Sequence, residues 1–210
     1  MPNASNDLAH AVFGTPGAMA LAVLAILATF LLAAAWTDLR DQRVPNLLVF
    51  SGALLALLLH AVLPAGEGFV SALPGGLGLA GSLTGLACGL LAFLPFYGLQ
   101  AMGAGDVKLA AMVGAFLGPL DIWWALFFTL IAGGVLVVAV ALQRGVFARV
   151  LQNLKLLLFD LFFTICSRSR QRTGPAGQAF ISAAPLPYAV AIAAGSIAAG
   201  IYRARLSGLL

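Results

Sequence analysis

Two aspartates, Asp38 and Asp106, are the residues best suited to chemistry, because each stands at the edge of a long apolar segment. An ionisable side chain near a membrane-spanning segment is costly to bury without a function or a partner. Two carboxylates within hydrogen-bonding reach cannot both ionise fully, so together they supply a base and an acid. Such a pair can deprotonate a water for attack on a peptide carbonyl and protonate the departing group. We therefore expect peptide hydrolysis that needs no metal and no cofactor.

Two glycines precede Asp106 in the segment 103–109, Gly-Ala-Gly-Asp-Val-Lys-Leu. Gly103 and Gly105 remove side-chain bulk and permit backbone angles closed to other residues, so an extended peptide could lie beside the carboxylate. The alternative, which the spacing alone favours, is a loop hinge before a helix whose dipole interacts with Asp106. Lys108 would lie about 200° around a helix from Asp106. We expect it to reach the lipid headgroups, with contact to a substrate as the alternative.

The remaining acidic residues are expected to have no catalytic role, although Asp41 competes with Asp38 by position. We expect Glu67 and Asp121 to be solvated charges in short loops and Asp160 to lie on the polar face of a surface helix. His60 is predicted to lie toward the outer end of a span, far from the two aspartates.

The elements that must position these residues are membrane helices. Hydrophobic residues make up 62% of the 210 residues, charged residues 9%, and the mean hydropathy is +1.05. A soluble domain carries about a quarter charged residues, so the composition excludes a soluble globular class. The net charge of +4 does not indicate nucleic-acid binding, because the basic residues are scattered between apolar segments.

Long apolar runs separated by short polar stretches predict an all-α membrane protein, a polytopic bundle of about six transmembrane helices. We interpret residues 1–210 as a single integral-membrane domain. The predicted spans are 17–36, 47–64, 77–99, 107–119, 122–142 and 182–201. Residues 150–166 are predicted to form an amphipathic helix at the membrane interface, with a seventh span as the alternative.

Lysine and arginine fall in alternate loops, which predicts the orientation of the chain. The loops on one side contain Arg40, Arg43, Lys108, Arg144 and Arg149, whereas the loops on the other side, 65–76 and 119–121, contain no lysine or arginine. By the positive-inside rule the first set is cytoplasmic. Both aspartates then face the cytoplasm at one depth, and Arg203 and Arg205 are left outside.

Two motifs together resemble the type IV prepilin peptidases, which are intramembrane aspartyl proteases of the G-x-G-D class. They are the segment 38–46, Asp-Leu-Arg-Asp-Gln-Arg-Val-Pro-Asn, after a first span, and the segment 103–109 opening a later one. Residues 185–188, Pro-Leu-Pro-Tyr, are similar to the proline-containing final helix of that family.

The resemblance implies a membrane-embedded endopeptidase of the bacterial inner membrane, with its active site on the cytoplasmic side. Its substrate would be the prepilin, cut after a short basic leader that precedes an apolar helix. The resemblance also implies the lipid bilayer and the pilus assembly machinery as partners. It carries the catalytic roles to Asp38 and Asp106, since the family's first aspartate precedes the loop proline by seven residues, which selects Asp38 over Asp41.

Longer members of that family carry an N-terminal insertion with paired cysteines and also N-methylate the new pilin terminus. The predicted first span begins near residue 17 and no such cysteines precede it. We therefore expect the short, peptidase-only form that serves tight-adherence (Flp-type) pilus systems.

Three other functions stay open at this point. A protease of the presenilin or signal-peptide-peptidase type usually has its first aspartate mid-span after a tyrosine, whereas Thr37 precedes Asp38 here. A proton- or ion-coupled carrier could use the carboxylates as a relay, but neither motif has a second copy. A non-catalytic scaffold would leave the carboxylates and the glycine loop without a role.

Overall fold

The computed structural model describes residues 15–71, 73–98, 102–145, 152, 155 and 188–208, and helices make up most of them. The helices are α1 (Pro16–Asp41), α2 (Asn46–Val62), α3 (Gly78–Gly98), α4 (Ala104–Gln143) and α5 (Tyr188–Leu206). Four of them are long and apolar enough to cross a membrane, and α2 is a shorter apolar helix of 17 residues. The predicted all-α membrane class is confirmed.

The count of six spanning helices is not supported. The predicted spans 107–119 and 122–142 correspond to two helices that meet at a kink at Gly118 and together make up the 40 residues of α4. The predicted interfacial helix 150–166 lies almost wholly outside the described residues, and so does the start of the last predicted span, 182–187. The last helix that the structure describes begins at Tyr188 and continues to Leu206.

The local sequence determines where α1 begins and where α4 kinks. The hydroxyl oxygen of Thr15 accepts a hydrogen bond from the Ala18 N–H at 3.2 Å, and Pro16 takes the first helical position. Gly118 has a φ of 84°, which an L side chain rarely adopts, and Pro119 follows it. The two arms of α4 therefore have different directions.

The first arm of α4, 104–117, runs between α2 and α3. Gly114 packs against Gly85 of α3, and Ala110 packs against Gly89, so α3 and this arm are antiparallel. Side chains would hold these helices apart, and the glycines allow their backbones to touch.

The second arm of α4 packs against α5 in the opposite sense. Thr129 contacts Gly195. A Cβ added to Gly133 would lie 3.8 Å from the Ala191 side chain, so these two residues are also neighbours. Because Asp121 meets Arg203 further along, this arm is antiparallel to α5 and returns toward the end where α5 begins. Within one compact unit, Met1–Gly133 with Pro187–Leu210, the chain thus reverses at Gly118. The second unit is Gly134–Leu186.

The surface of this unit is apolar, as contact with lipid requires. Leu47 is 81% exposed and Trp36 is 68% exposed, whereas Leu31 and Met112 are fully buried. Large apolar side chains therefore cover the outside as well as the core.

A buried histidine ties α2 to the neighbouring elements. The Nδ1 atom of His60 accepts a hydrogen bond from the Leu77 N–H at 2.9 Å, so its Nε2 donates to the Phe116 carbonyl at 3.1 Å. The ring also stacks on Phe69 at 4.4 Å between centroids. These contacts give His60 a structural role at the end of α2.

Gly85→Ala should destabilise the fold, because an added Cβ would collide with the Gly114 carbonyl and with the backbone of Gly118. We expect the free energy of unfolding, measured by denaturing-detergent titration in micelles, to fall by about 1–3 kcal/mol. Gly98→Ala is the matched control on the same helix, since the structure describes no atom within 4 Å of a Cβ added there. Equal stability of the two variants would contradict the close helix contact.

Candidate functional site

Asp38 lies in the last turns of α1, which continues to Asp41 and so ends later than predicted. The carboxylate is buried, with 8% of the residue exposed, and its Oδ2 accepts a hydrogen bond from the Ala189 N–H at 3.0 Å. Ala189 stands in the first turn of α5, where backbone N–H groups have no partner within the helix. The N-terminus of a helix favours negative charge, so α5 both binds and stabilises the Asp38 carboxylate.

Asp106 is the third residue of α4 and bonds to the glycine that precedes the helix. Its Oδ2 accepts from the Gly103 N–H at 3.1 Å, while the Gly103 carbonyl accepts from the Asp106 N–H at 3.2 Å. The first bond is the one that an acidic side chain at the third helical position makes in a capping box, and the second is a main-chain bond of the first turn. The first bond holds the carboxylate at the helix start, again with 8% of the residue exposed.

The two glycines are explained by space at this site. Neither Gly103 nor Gly105 has a positive φ. The glycines are therefore not used here for backbone angles that other residues cannot adopt. A Cβ on Gly103 would lie 3.3 Å from the Asp106 Oδ2, and one on Gly105 would lie 3.4 Å from the Val44 Cβ. Glycine leaves room for the carboxylate at the first position and for the loop after α1 at the second.

Three chain segments converge at this end of the unit. The loop after α1 contacts Gly105, and the Asp38 and Asp106 carboxylates are close enough to interact electrostatically. The Tyr188 phenol, at the first residue of α5, also lies within the electrostatic reach of Asp106. The structure thus places the two buried carboxylates at the same end of the unit, within electrostatic range of one another, together with the first residues of α5.

Lys108 is held by α2. Its Nζ donates a hydrogen bond to the Asn46 Oδ1 at 3.0 Å and lies 5.8 Å from the centroid of the Phe50 ring. Both partners belong to α2. Lys108 therefore stabilises the packing of α2 against α4.

Asp41 and Tyr188 are the residues for which the structure adds most. Asp41 is exposed one turn beyond the buried Asp38, so burial separates two carboxylates that spacing alone could not. The sequence does not predict that Tyr188 and the Ala189 N–H lie near the aspartates. No spacing rule relates them to Asp38, which is about 150 residues earlier in the chain. The only signal was the Pro-Leu-Pro-Tyr stretch, whose prolines, Pro185 and Pro187, lie outside the described residues.

The expectation of a solvated Asp121 is wrong. Asp121 is buried, with 6% of its side chain exposed, and its Oδ1 accepts a hydrogen bond from the Arg203 Nε at 2.6 Å. Arg203 lies 14 residues after Ala189 on α5, which places this ion pair about 21 Å along the helix from the aspartate site. The predicted loop is a helix kink, and α5 covers it.

No metal site emerges from this part of the chain. Among the residues that the structure describes, no three side chains of His, Cys, Asp and Glu lie together as metal ligands would. The groups that the structure places at this end are two carboxylates, a phenol and backbone N–H groups.

Comparison with known proteins gives one match. The model of the type IV leader peptidase family matches residues 25–142, a stretch that contains both Asp38 and Asp106. No curated protein and no solved structure matches the chain. The family match confirms the resemblance inferred from the two motifs.

Asp121→Asn should destabilise the fold, because it leaves the Arg203 guanidinium beside a neutral amide in a partly buried setting. We expect the free energy of unfolding in micelles to fall by about 2–4 kcal/mol. Asp41→Asn, which changes an exposed carboxylate, should leave it within error of the wild type. In a double-mutant cycle with Arg203→Gln, the two changes should be less than additive. Full additivity would show that the ion pair does not form.

Proposed function

The chain belongs to the type IV leader peptidase family, and we propose that it is a membrane-embedded aspartyl endopeptidase that cuts the basic leader from prepilins. The observation that supports the proposal is the burial of Asp38 and Asp106 at one end of the unit, within electrostatic range of one another, with the start of α5 bound to Asp38. The match itself supports a protease of this family, and the aspartyl mechanism is our inference from the geometry.

In the proposed mechanism Asp38 is the base. The Ala189 N–H and the N-terminus of α5 stabilise its negative charge, so the carboxylate stays ionised. In that form it can accept a proton from the attacking water. The water oxygen bonds to the carbonyl carbon of the scissile peptide and gives a tetrahedral intermediate. Asp106 is the acid and donates its proton to the leaving nitrogen as the carbon–nitrogen bond breaks.

The glycine loop supports the approach of an extended substrate. Gly103 and Ala104 are exposed directly beside the buried Asp106 carboxylate, so a peptide can reach the backbone there without meeting a large side chain. We propose that the segment around the cleaved bond lies along this loop. The site-shaping role of Gly103 and Gly105 is then to admit both the substrate and the carboxylate.

We propose that the site faces the cytoplasm across the bacterial inner membrane. Arg40 and Arg43 are exposed at the same end as Asp38, and Lys108 lies one turn from the start of α4. Arg203 and Arg205 lie at the opposite end, near the end of α5. Among these residues the aspartate end has three basic side chains and the opposite end has two, and the positive-inside rule assigns the richer end to the cytoplasm.

The substrate class is proposed from the family and the resemblance together. Prepilins present a basic leader followed by an apolar helix, and the tight-adherence (Flp-type) pilins are the subclass that the resemblance favours. The pilus assembly machinery would then be the partner that receives the product.

Asp38→Asn and Asp106→Asn should each lower prepilin cleavage by about 10²–10⁴-fold, because each removes one half of the proton transfer. Cleavage is measured as conversion of a co-expressed prepilin, and membrane insertion is checked by fractionation. Asp41→Asn is the matched control, since it changes an exposed carboxylate in the same helix end. Undiminished processing by either of the first two variants would remove that residue from the catalytic role.

Cleavage should also fall when the pH is raised, because the acid of the pair then loses the proton that it must donate. At lower pH that proton is retained, so the loss lies on the alkaline side. Initial rates measured from neutral to strongly alkaline pH test this, with circular dichroism confirming that the helices persist. A rate that stays constant into strongly alkaline solution would count against a proton-sharing pair.

A further inference from the structure

An apolar groove of about 220 Å³ runs between α1 and α5 on the unit that carries the aspartates. Small residues form much of its wall, and its floor is made by buried leucines. The lining includes Leu24, Ala28 and Leu31 of α1 and Ser196, Gly200 and Ala204 of α5. Small residues at such a wall allow another helix to approach closely in a membrane.

The groove contains a polar atom whose hydrogen-bonding capacity is unused. Ser196 is 3% exposed, and its Oγ has no hydrogen-bond partner within the part of the chain that the structure describes. A buried hydroxyl without a partner costs about 1–3 kcal/mol. The position of Ser196 in the wall therefore indicates an occupant that brings a hydrogen-bonding group and not lipid tails alone.

The groove is aligned with the aspartate site, because its two helices are also the ones that meet at Asp38. Ala189 binds Asp38 at one end, and Gly200 lies beside Leu24 further along, so the helices are antiparallel. Leu31 and Leu21, at the two ends of the lining, are 7 and 17 residues before Asp38. At the helical rise these positions are about 10 and 26 Å from Asp38. The groove thus occupies the depth of the hydrocarbon core directly below the site.

We propose that this groove binds the apolar helix of the prepilin during cleavage, which rests on the function proposed above. When the cleaved peptide bond of the substrate lies at Asp38, the apolar helix that follows this bond would enter the membrane beside α1 and α5. The groove lies on that path at the required depth. The Ser196 hydroxyl would pair there with a polar group of the substrate helix.

Two substrates separate this proposal from the catalytic one. The first is full-length prepilin, and the second is a soluble peptide that contains the leader and the cleavage site but not the apolar helix. Ala28→Leu fills the groove, and Ala194→Leu adds the same carbons at an exposed position of α5 outside the lining. We expect Ala28→Leu to lower kcat/KM for full-length prepilin about tenfold and to leave peptide cleavage unchanged. Ala194→Leu should change neither.

The outcomes are distinct. If the wild type cuts neither substrate, the proposed function fails. If the wild type cuts both and Ala28→Leu still cuts full-length prepilin normally, the docking proposal alone is overturned. An equal loss on both substrates would also overturn it, because the substitution would then act on the site and not on binding of the helix.

Photo-cross-linking gives a readout that does not depend on turnover. A photoreactive residue at Ile201, which lines the groove, should form an adduct with prepilin in the Asp106→Asn background, whereas one at the lipid-exposed Leu83 of α3 should not. The adduct should map to the apolar helix of the prepilin. Adducts at Ile201 with lipid alone, or with another segment of this chain alone, would assign the groove to that occupant and overturn the proposal.

Discussion

The hydrogen bond from the Ala189 N–H to the Asp38 carboxylate is the contact on which the arrangement of this protein depends. A buried carboxylate in an apolar bundle needs a partner that stabilises its charge, and the free N–H groups at the start of α5 supply one. The bond joins residues 151 positions apart. It therefore fixes the last described helix against the first, and with it the wall of the apolar groove.

The two ends of the unit satisfy buried charge in different ways. At one end Asp121 is neutralised by Arg203 at 2.6 Å, and the pair fixes the kink of α4 against α5. At the other end, the hydrogen bonds that the structure describes to the Asp38 and Asp106 carboxylates come from backbone N–H groups, and the two carboxylates lie within electrostatic range of one another. A carboxylate held by dipoles and not by a cation remains able to exchange a proton, and this difference separates the end proposed to be reactive from the structural one.

The reversal within α4 can be predicted from the sequence, whereas the burial of Asp121 cannot. The polar turn near Asp121 and a Gly-Pro pair between two apolar runs predict two helices, and α4 consists of two helical arms that meet at Gly118 and run in opposite directions. The burial of Asp121 depends on Arg203, 82 residues later, and no local pattern records that contact.

The sequence by itself determined the all-α membrane class and the family and predicted the two candidate aspartates, because hydrophobicity and short motifs are local properties of the chain. The packing of Gly103 against the Asp106 carboxylate is also local, spanning three residues. Only the tertiary structure decided that Asp38 is buried while Asp41 is exposed, that Tyr188 and Ala189 join the site, and that Ser196 lines a groove. Each of these depends on which helices lie side by side, and helices in a membrane pack through shape and hydrogen bonds between distant residues, which no periodicity along the chain records.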